Sequence, residues 1–147
     1  MHEHHVMVVE DNPDDEMLTL SALRKCNIQN VVVIRDGAEA LDYLFSAAET
    51  DGLSIKPTFI LLDLQLPKID GLQCLLAIRS DERTRDIPII IVTSSKDGRD
   101  VNCCRTLKVK GYLKKPLNAE ELGETLHELG FKLNLPDNIP AKAAIQR

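Results

Sequence analysis

Five short apolar runs, at 5–10, 31–35, 59–63, 87–93 and 111–113, recur along a chain whose intervening stretches are apolar at helical spacing. Read as strands, they are β1 to β5 in chain order. Val31-Val32-Val33-Ile34 and Ile89-Ile90-Ile91-Val92 are apolar on successive residues, as expected of strands covered on both faces. Asn12-Pro13-Asp14-Asp15 supplies a cap, a proline at the first helical position and first-turn acids for a helix, α1, that ends near Cys26 or Asn27. A stripe through Ala38, Leu41, Leu44, Phe45 and Ala48 predicts α2 over 38–48. Leu72, Leu75, Leu76 and Ile78 form the inner side of α3 over 72–78, and Leu122, Leu126 and Leu129 that of α5 over 122–129. The fourth helix, α4, spans 97–107 with Val101, Cys104 and Leu107 on its buried side.

Strict alternation of strand and helix predicts a parallel sheet with right-handed crossovers and helices on both faces, an open three-layer α/β sandwich. Periodicity alone leaves the order of the strands open. The segment 49–57, with Asp51-Gly52 and Pro57, reads as an extended loop between α2 and β3. Gly130 terminates α5. Beyond it, Phe131, Leu133, Leu135 and Ile139 give the tail apolar surface to pack loosely or to dock on a neighbour. The 147 residues suit one domain at 1–130 with a C-terminal tail at 131–147.

Composition narrows the function. A net charge of -5 without a basic block argues against nucleic acid, and three Phe, two Tyr and no Trp argue against a stacking platform for sugars or bases. Cys26, Cys74, Cys103 and Cys104 form no CxxC pair and read as reduced, mostly structural thiols. No apolar run approaches the roughly 20 residues that span a membrane, so the expectation is a cytoplasmic protein. His2, His4 and His5 precede or open the first strand and read as a polar terminus, not a metal site.

In an open parallel sheet, ligands gather beyond the carboxyl ends of the strands. There the pattern places Glu10 and Asp11 after β1, Asp63 at the end of β3, Thr93 and Ser94 after β4, and Lys115 after β5. Three carboxylates at one edge need a counter-ion, and a hard cation such as Mg2+ takes oxygen ligands readily. Asp11 and Asp63 are the strongest ligands, Glu10 binds directly or through water, and the Gln65 carbonyl offers a further oxygen. Asp63, held by Phe59-Ile60-Leu61-Leu62, can attack phosphorus to form an acyl phosphate. Lys115 and Thr93 can then hold phosphoryl oxygens, while strand alternation sends Lys114 elsewhere. A purely structural acidic cluster is the competing account.

The stretches Val8-Val9-Glu10-Asp11-Asn12-Pro13-Asp14-Asp15, Leu61-Leu62-Asp63-Leu64-Gln65-Leu66-Pro67, Asp70-Gly71, Val92-Thr93-Ser94 and Gly111-Tyr112-Leu113-Lys114-Lys115-Pro116 closely resemble the CheY-like receiver domains of bacterial response regulators. Val-Glu-Asp-Asn-Pro and the long α2–β3 loop are especially similar to single-domain regulators paired with phytochrome-type histidine kinases. The resemblance implies a doubly wound, flavodoxin-like five-stranded sheet of order 2-1-3-4-5 flanked by five helices. It puts Asp63 at the phosphoacceptor position, Glu10 and Asp11 in the acidic metal pocket, Thr93 and Lys115 at the hydroxyl and lysine positions, and Tyr112 at the switch aromatic. It implies Mg2+, a cis Lys115-Pro116 bond, and a histidine kinase or histidine phosphotransfer protein as donor. It also implies signalling through protein partners rather than enzymatic turnover, with a homodimer through the α4-β5-α5 face and tail.

Three other readings stand beside it. A phosphohydrolase of the haloacid-dehalogenase type carries a second Asp two residues after its nucleophile, where this chain has Gln65. A flavodoxin-like binder needs a phosphate-cradling first loop, which Glu10-Asp11 would repel. A receiver used only as a scaffold would keep the same pocket.

Overall fold

The computed structural model describes residues 5–48, 56–66, 69–94 and 98–131. His2, His4, Pro67, most of the α2–β3 loop, the Asp97 start of α4 and the tail from 132 lie outside the described residues, as do the side chains of Ala48 and Val101. The elements alternate strictly: β1 His5–Val9, α1 Pro13–Lys25, β2 Asn30–Ile34, α2 Gly37–Ala48, β3 Phe59–Leu62, α3 Gly71–Ser80, β4 Ile89–Thr93, α4 Gly98–Thr106, β5 Gly111–Lys114 and α5 Ala119–Glu128.

All strands are parallel, in the order β2-β1-β3-β4-β5. Register aligns Val9 with both Ile34 and Leu62, Leu62 with Ile91, and Ile91 with Tyr112. The carboxyl ends therefore share one edge. Successive side chains of a strand point to opposite faces, so one sheet feeds two cores. Val6, Val8, Phe59, Leu61, Ile90 and Val92 meet Leu23, Leu122 and Leu126 on the α1/α5 side. Met7, Val9, Ile60, Leu62, Ile89 and Ile91 meet Ala40, Leu44, Leu75, Ile78 and Cys104 on the other. Doubly apolar runs are thus what a two-sided sheet requires.

The helix starts follow their sequence signals. Asn12 caps α1 by accepting a hydrogen bond from the Asp15 amide at 3.0 Å, with Pro13 at the first helical position. Gly130 ends α5 at φ 89°, a left-handed conformation that glycine adopts without strain. Phe131 stacks obliquely on Phe59 with ring centroids 5.2 Å apart, so the start of the tail is anchored to β3.

Two stripes differ from expectation. Leu76 is 54% exposed, because the inner face of α3 runs through Cys74, Leu75 and Ile78. Among the described side chains of α2 the buried positions are Gly37, Ala40 and Leu44, with Leu41 and Phe45 only half-buried. Cys26, Cys74 and Cys104 are buried free thiols and Cys103 is exposed. Among the described residues, no helix is long and apolar enough to cross a membrane.

Candidate functional site

Each functional side chain is delivered by the end of a strand. The Glu10 amide still donates to the Ile34 carbonyl at 2.9 Å, and the Asp63 amide to the Val9 carbonyl at 3.1 Å. Ladder bonding thus fixes both residues just beyond β1 and β3. Glu10 and Asp63 are nearly inaccessible, at 2% and 4% exposure, whereas Asp11 is exposed.

Behind Asp63 the chain turns tightly against α3. The Gly71 amide donates to the Leu64 carbonyl at 2.8 Å, and a Cβ on Gly71 would overlap the Asp63 carbonyl oxygen and the Leu64 Cα. Only glycine allows that approach. Asp70 caps the same helix with a full capping box, accepting from the Gln73 amide at 2.9 Å while Gln73 Oε1 accepts from the Asp70 amide at 3.1 Å. Asp63 Oδ1 in turn accepts from the Gln65 amide at 3.0 Å, which orients the carboxylate from below.

Lys115 arrives from β5. Its amide donates to the Thr93 carbonyl at 3.0 Å, and the Lys115-Pro116 bond is cis. Its ammonium donates to Asp63 Oδ2 and Glu10 Oε1 at 2.8 Å each, and to Asp15 Oδ2 at 2.9 Å. Burial works against that charge, but the three carboxylates outweigh it and hold the lysine pKa above its ordinary value. Glu10 responds oppositely. Burial, opposed by the Lys115 hydrogen bond and reinforced by Asp63, pushes its carboxyl up to about 7.

One ammonium does not neutralise three carboxylates. Glu10, Asp11 and Asp63 each present an oxygen within 4.8 Å of the others, a donor set suited to a divalent cation.

Of the residues singled out in the sequence, Glu10, Asp11, Asp63 and Lys115 meet in one cluster. Gln65 adjoins it through its amide. Thr93 is completely buried on the same edge, tied to the cluster through the Lys115 backbone. Tyr112 lies outside the cluster, half-buried against the α2–α4 core and in register with Ile91. Lys114 is exposed, as strand alternation predicts.

Sequence reasoning missed the part of Asp15, read there only as a helix-start acid, and of Gly71 beyond its place in a motif. For Asp15 the sequence carried no separate signal, because a first-turn acid of α1 is already accounted for by the helix N-terminus.

A model of the response regulator receiver domain matches residues 6–127. The chain is 38% identical over 125 residues to the probable methanogenesis regulatory protein FilR2 of Methanothrix harundinacea, covering 84% of this chain and 79% of that one. The structure of the bacteriophytochrome response regulator AtBRR matches with a TM-score of 0.77 and 37% identity, over 94% of this chain and all of the other (100%). Response regulator Rcp1 of Synechocystis sp. is 34% identical over 118 residues, 80% of each chain. A Mn2+-bound structure of response regulator Rcp1 matches with a TM-score of 0.73 and 32% identity, over 90% of this chain and 99% of that one.

Proposed function

The chain belongs to the response regulator receiver family, and from that premise we propose that Asp63 accepts a phosphoryl group from a phosphohistidine of a histidine kinase or histidine phosphotransfer protein. The observation that carries this reading is the nearly buried Asp63 carboxylate, aimed by the Gln65 amide and facing the Lys115 ammonium at 2.8 Å. An Asp63 oxygen attacks phosphorus in line, the phosphorus–nitrogen bond breaks, and the imidazole leaves with the electron pair. Lys115 turns donors from Glu10 and Asp63 to a phosphoryl oxygen, and Thr93 supplies a hydroxyl to another.

Mg2+ is the proposed cation, held by Glu10, Asp11 and Asp63 with the Gln65 carbonyl as a further ligand. When bound, it would offset the charge on the incoming phosphoryl oxygens. The Mn2+ of the Rcp1 structure supports a divalent site in this fold. Thr93 moving toward the phosphoryl group would free space for Tyr112 to turn inward, biasing the α4-β5-α5 surface toward its partner.

The likeness to the bacteriophytochrome regulator AtBRR supports a phytochrome-type kinase as the donor's owner. The domain at 1–130 would then signal in the cytoplasm through protein partners, a second copy among them.

Incubation with a small phosphodonor and Mg2+, followed by intact-mass measurement, is expected to show one added phosphoryl group on the wild type and none on Asp63→Asn. Persistence of the adduct in that variant would overturn Asp63 as the acceptor.

A further inference from the structure

Lys115 makes three ion pairs, and only two of its partners belong to the cation and acceptor set. Glu10 and Asp63 are 3% and 5% exposed at their side chains and are members of the acidic cluster. The third partner, Asp15, is 29% exposed, lies in the first turn of α1 and is not in that cluster. Its backbone is fixed, since the Asp15 amide donates to the Asn12 cap. The 2.9 Å contact joins residues 100 positions apart, connecting α1 to the end of β5 across the carboxyl edge.

An ammonium has three donor hydrogens, and here each has a carboxylate oxygen within reach. As a cation engages Glu10 and Asp63, and as Asp63 becomes an acyl phosphate, both of those carboxylates lose charge available to Lys115. Asp15 alone is untouched by either event. A long, flexible lysine without such an anchor would have to be ordered anew at the moment the phosphoryl group arrives.

We infer that Asp15 is a positioning residue for phosphoryl transfer, a fixed tether that keeps the Lys115 ammonium at the site while its other two partners are claimed by the cation and the phosphoryl group. This rests on the assignment of Asp63 as acceptor. The plainer account is that Asp15 only complements the N-terminal dipole of α1, a role that the exposed Asp14 shares. The two accounts differ in what Asp14→Ala should do.

The test compares wild type, Asp15→Ala, Asp15→Glu and Asp14→Ala for the rate of phosphorylation by a small phosphodonor at saturating Mg2+. Mg2+ affinity is measured separately by calorimetry, and the Lys115 ammonium is followed by its 15N–1H correlation. Asp15→Ala is expected to be phosphorylated roughly fivefold more slowly, the scale of one partly exposed ion pair. Its Mg2+ affinity should stay within about twofold, and the ammonium signal should broaden as proton exchange speeds up. Asp15→Glu should recover most of the rate, and Asp14→Ala should match the wild type in rate and signal.

Equal rates and an unchanged ammonium signal in Asp15→Ala would overturn the tether. Equal slowing in Asp14→Ala would do the same, by showing a general effect of helix charge. A wild type that gains no phosphoryl group would instead overturn the acceptor reading, and the tether with it.

Discussion

At the scale of single residues, Glu10 is where fold and site conflict. Burial pushes its carboxyl up to about 7 from the ordinary 4.5. Between those two values the folded state binds more protons than the unfolded one, so the metal-free protein loses stability as pH rises through that window. Glu10→Gln removes the titration. Its stability relative to wild type in chelator is therefore expected to improve by about 1–3 kcal/mol between pH 5 and pH 8, read from urea midpoints, while Mg2+ affinity falls. A stability difference flat with pH would show that burial of this carboxylate carries no such penalty. The residues of the site were legible for a simple reason: a polar side chain that closes an apolar strand has to emerge at the sheet edge. Asp63 after Phe59-Ile60-Leu61-Leu62 and Glu10 after Val6-Met7-Val8-Val9 both follow that rule. Asp15 does not, because acids at a helix start already have a local explanation. Gly71 was known as part of a motif, but its close approach to the Asp63 carbonyl is a backbone contact that periodicity does not encode.

At the scale of elements, strands were easier to read than helix faces. Four residues of β3 and five of β4 are all buried, so their apolar runs are unambiguous. Leu75 and Leu76 are adjacent on α3, and the apolar pattern put both on its inner side, where the structure keeps only Leu75. Cys74 and Ile78 decide it for Leu75, at i−1 and i+3 on the buried face. The end of α4 illustrates what periodicity misses altogether. Arg79 of α3 donates through Nε to the Leu107 carbonyl at 2.8 Å and through Nη1 to the carbonyls of Arg85 at 2.9 Å and Ile87 at 2.8 Å. One planar side chain thus ties the chain after α4 to the segment entering β4, a geometry a lysine cannot reproduce. Arg79→Met is expected to lower stability by about 2–3 kcal/mol in urea titration, and to speed amide exchange in the last turn of α4 more than in α1. Exchange rising equally in both helices would show that Arg79 supports the fold at large and does not specifically fasten α4.

At the scale of the whole molecule, the order of the strands was the one architectural feature that periodicity left open, and the resemblance supplied it. That order places β5 at an edge of the sheet, between α4 and α5. The consequence for assembly is electrostatic. Arg105, Lys108, Lys110 and Lys114 are exposed at and between α4 and β5, whereas Glu120, Glu121 and Glu128 are exposed on α5. A two-fold axis on this face would set the basic half of one copy against the acidic half of the other, making the contact self-complementary. If phosphorylation favours such a pairing, the light-scattering mass of the phosphorylated protein should approach twice the monomer at low ionic strength. It should return toward the monomer as NaCl is raised to about 0.5 M, where charges more than about 4–5 Å apart are strongly screened. A dimer indifferent to salt would instead point to an apolar contact, with the tail that begins at Phe131 as the first place to look. A phosphorylated protein that stays monomeric at high concentration and low salt would remove this face as a self-association surface and leave it to a different partner.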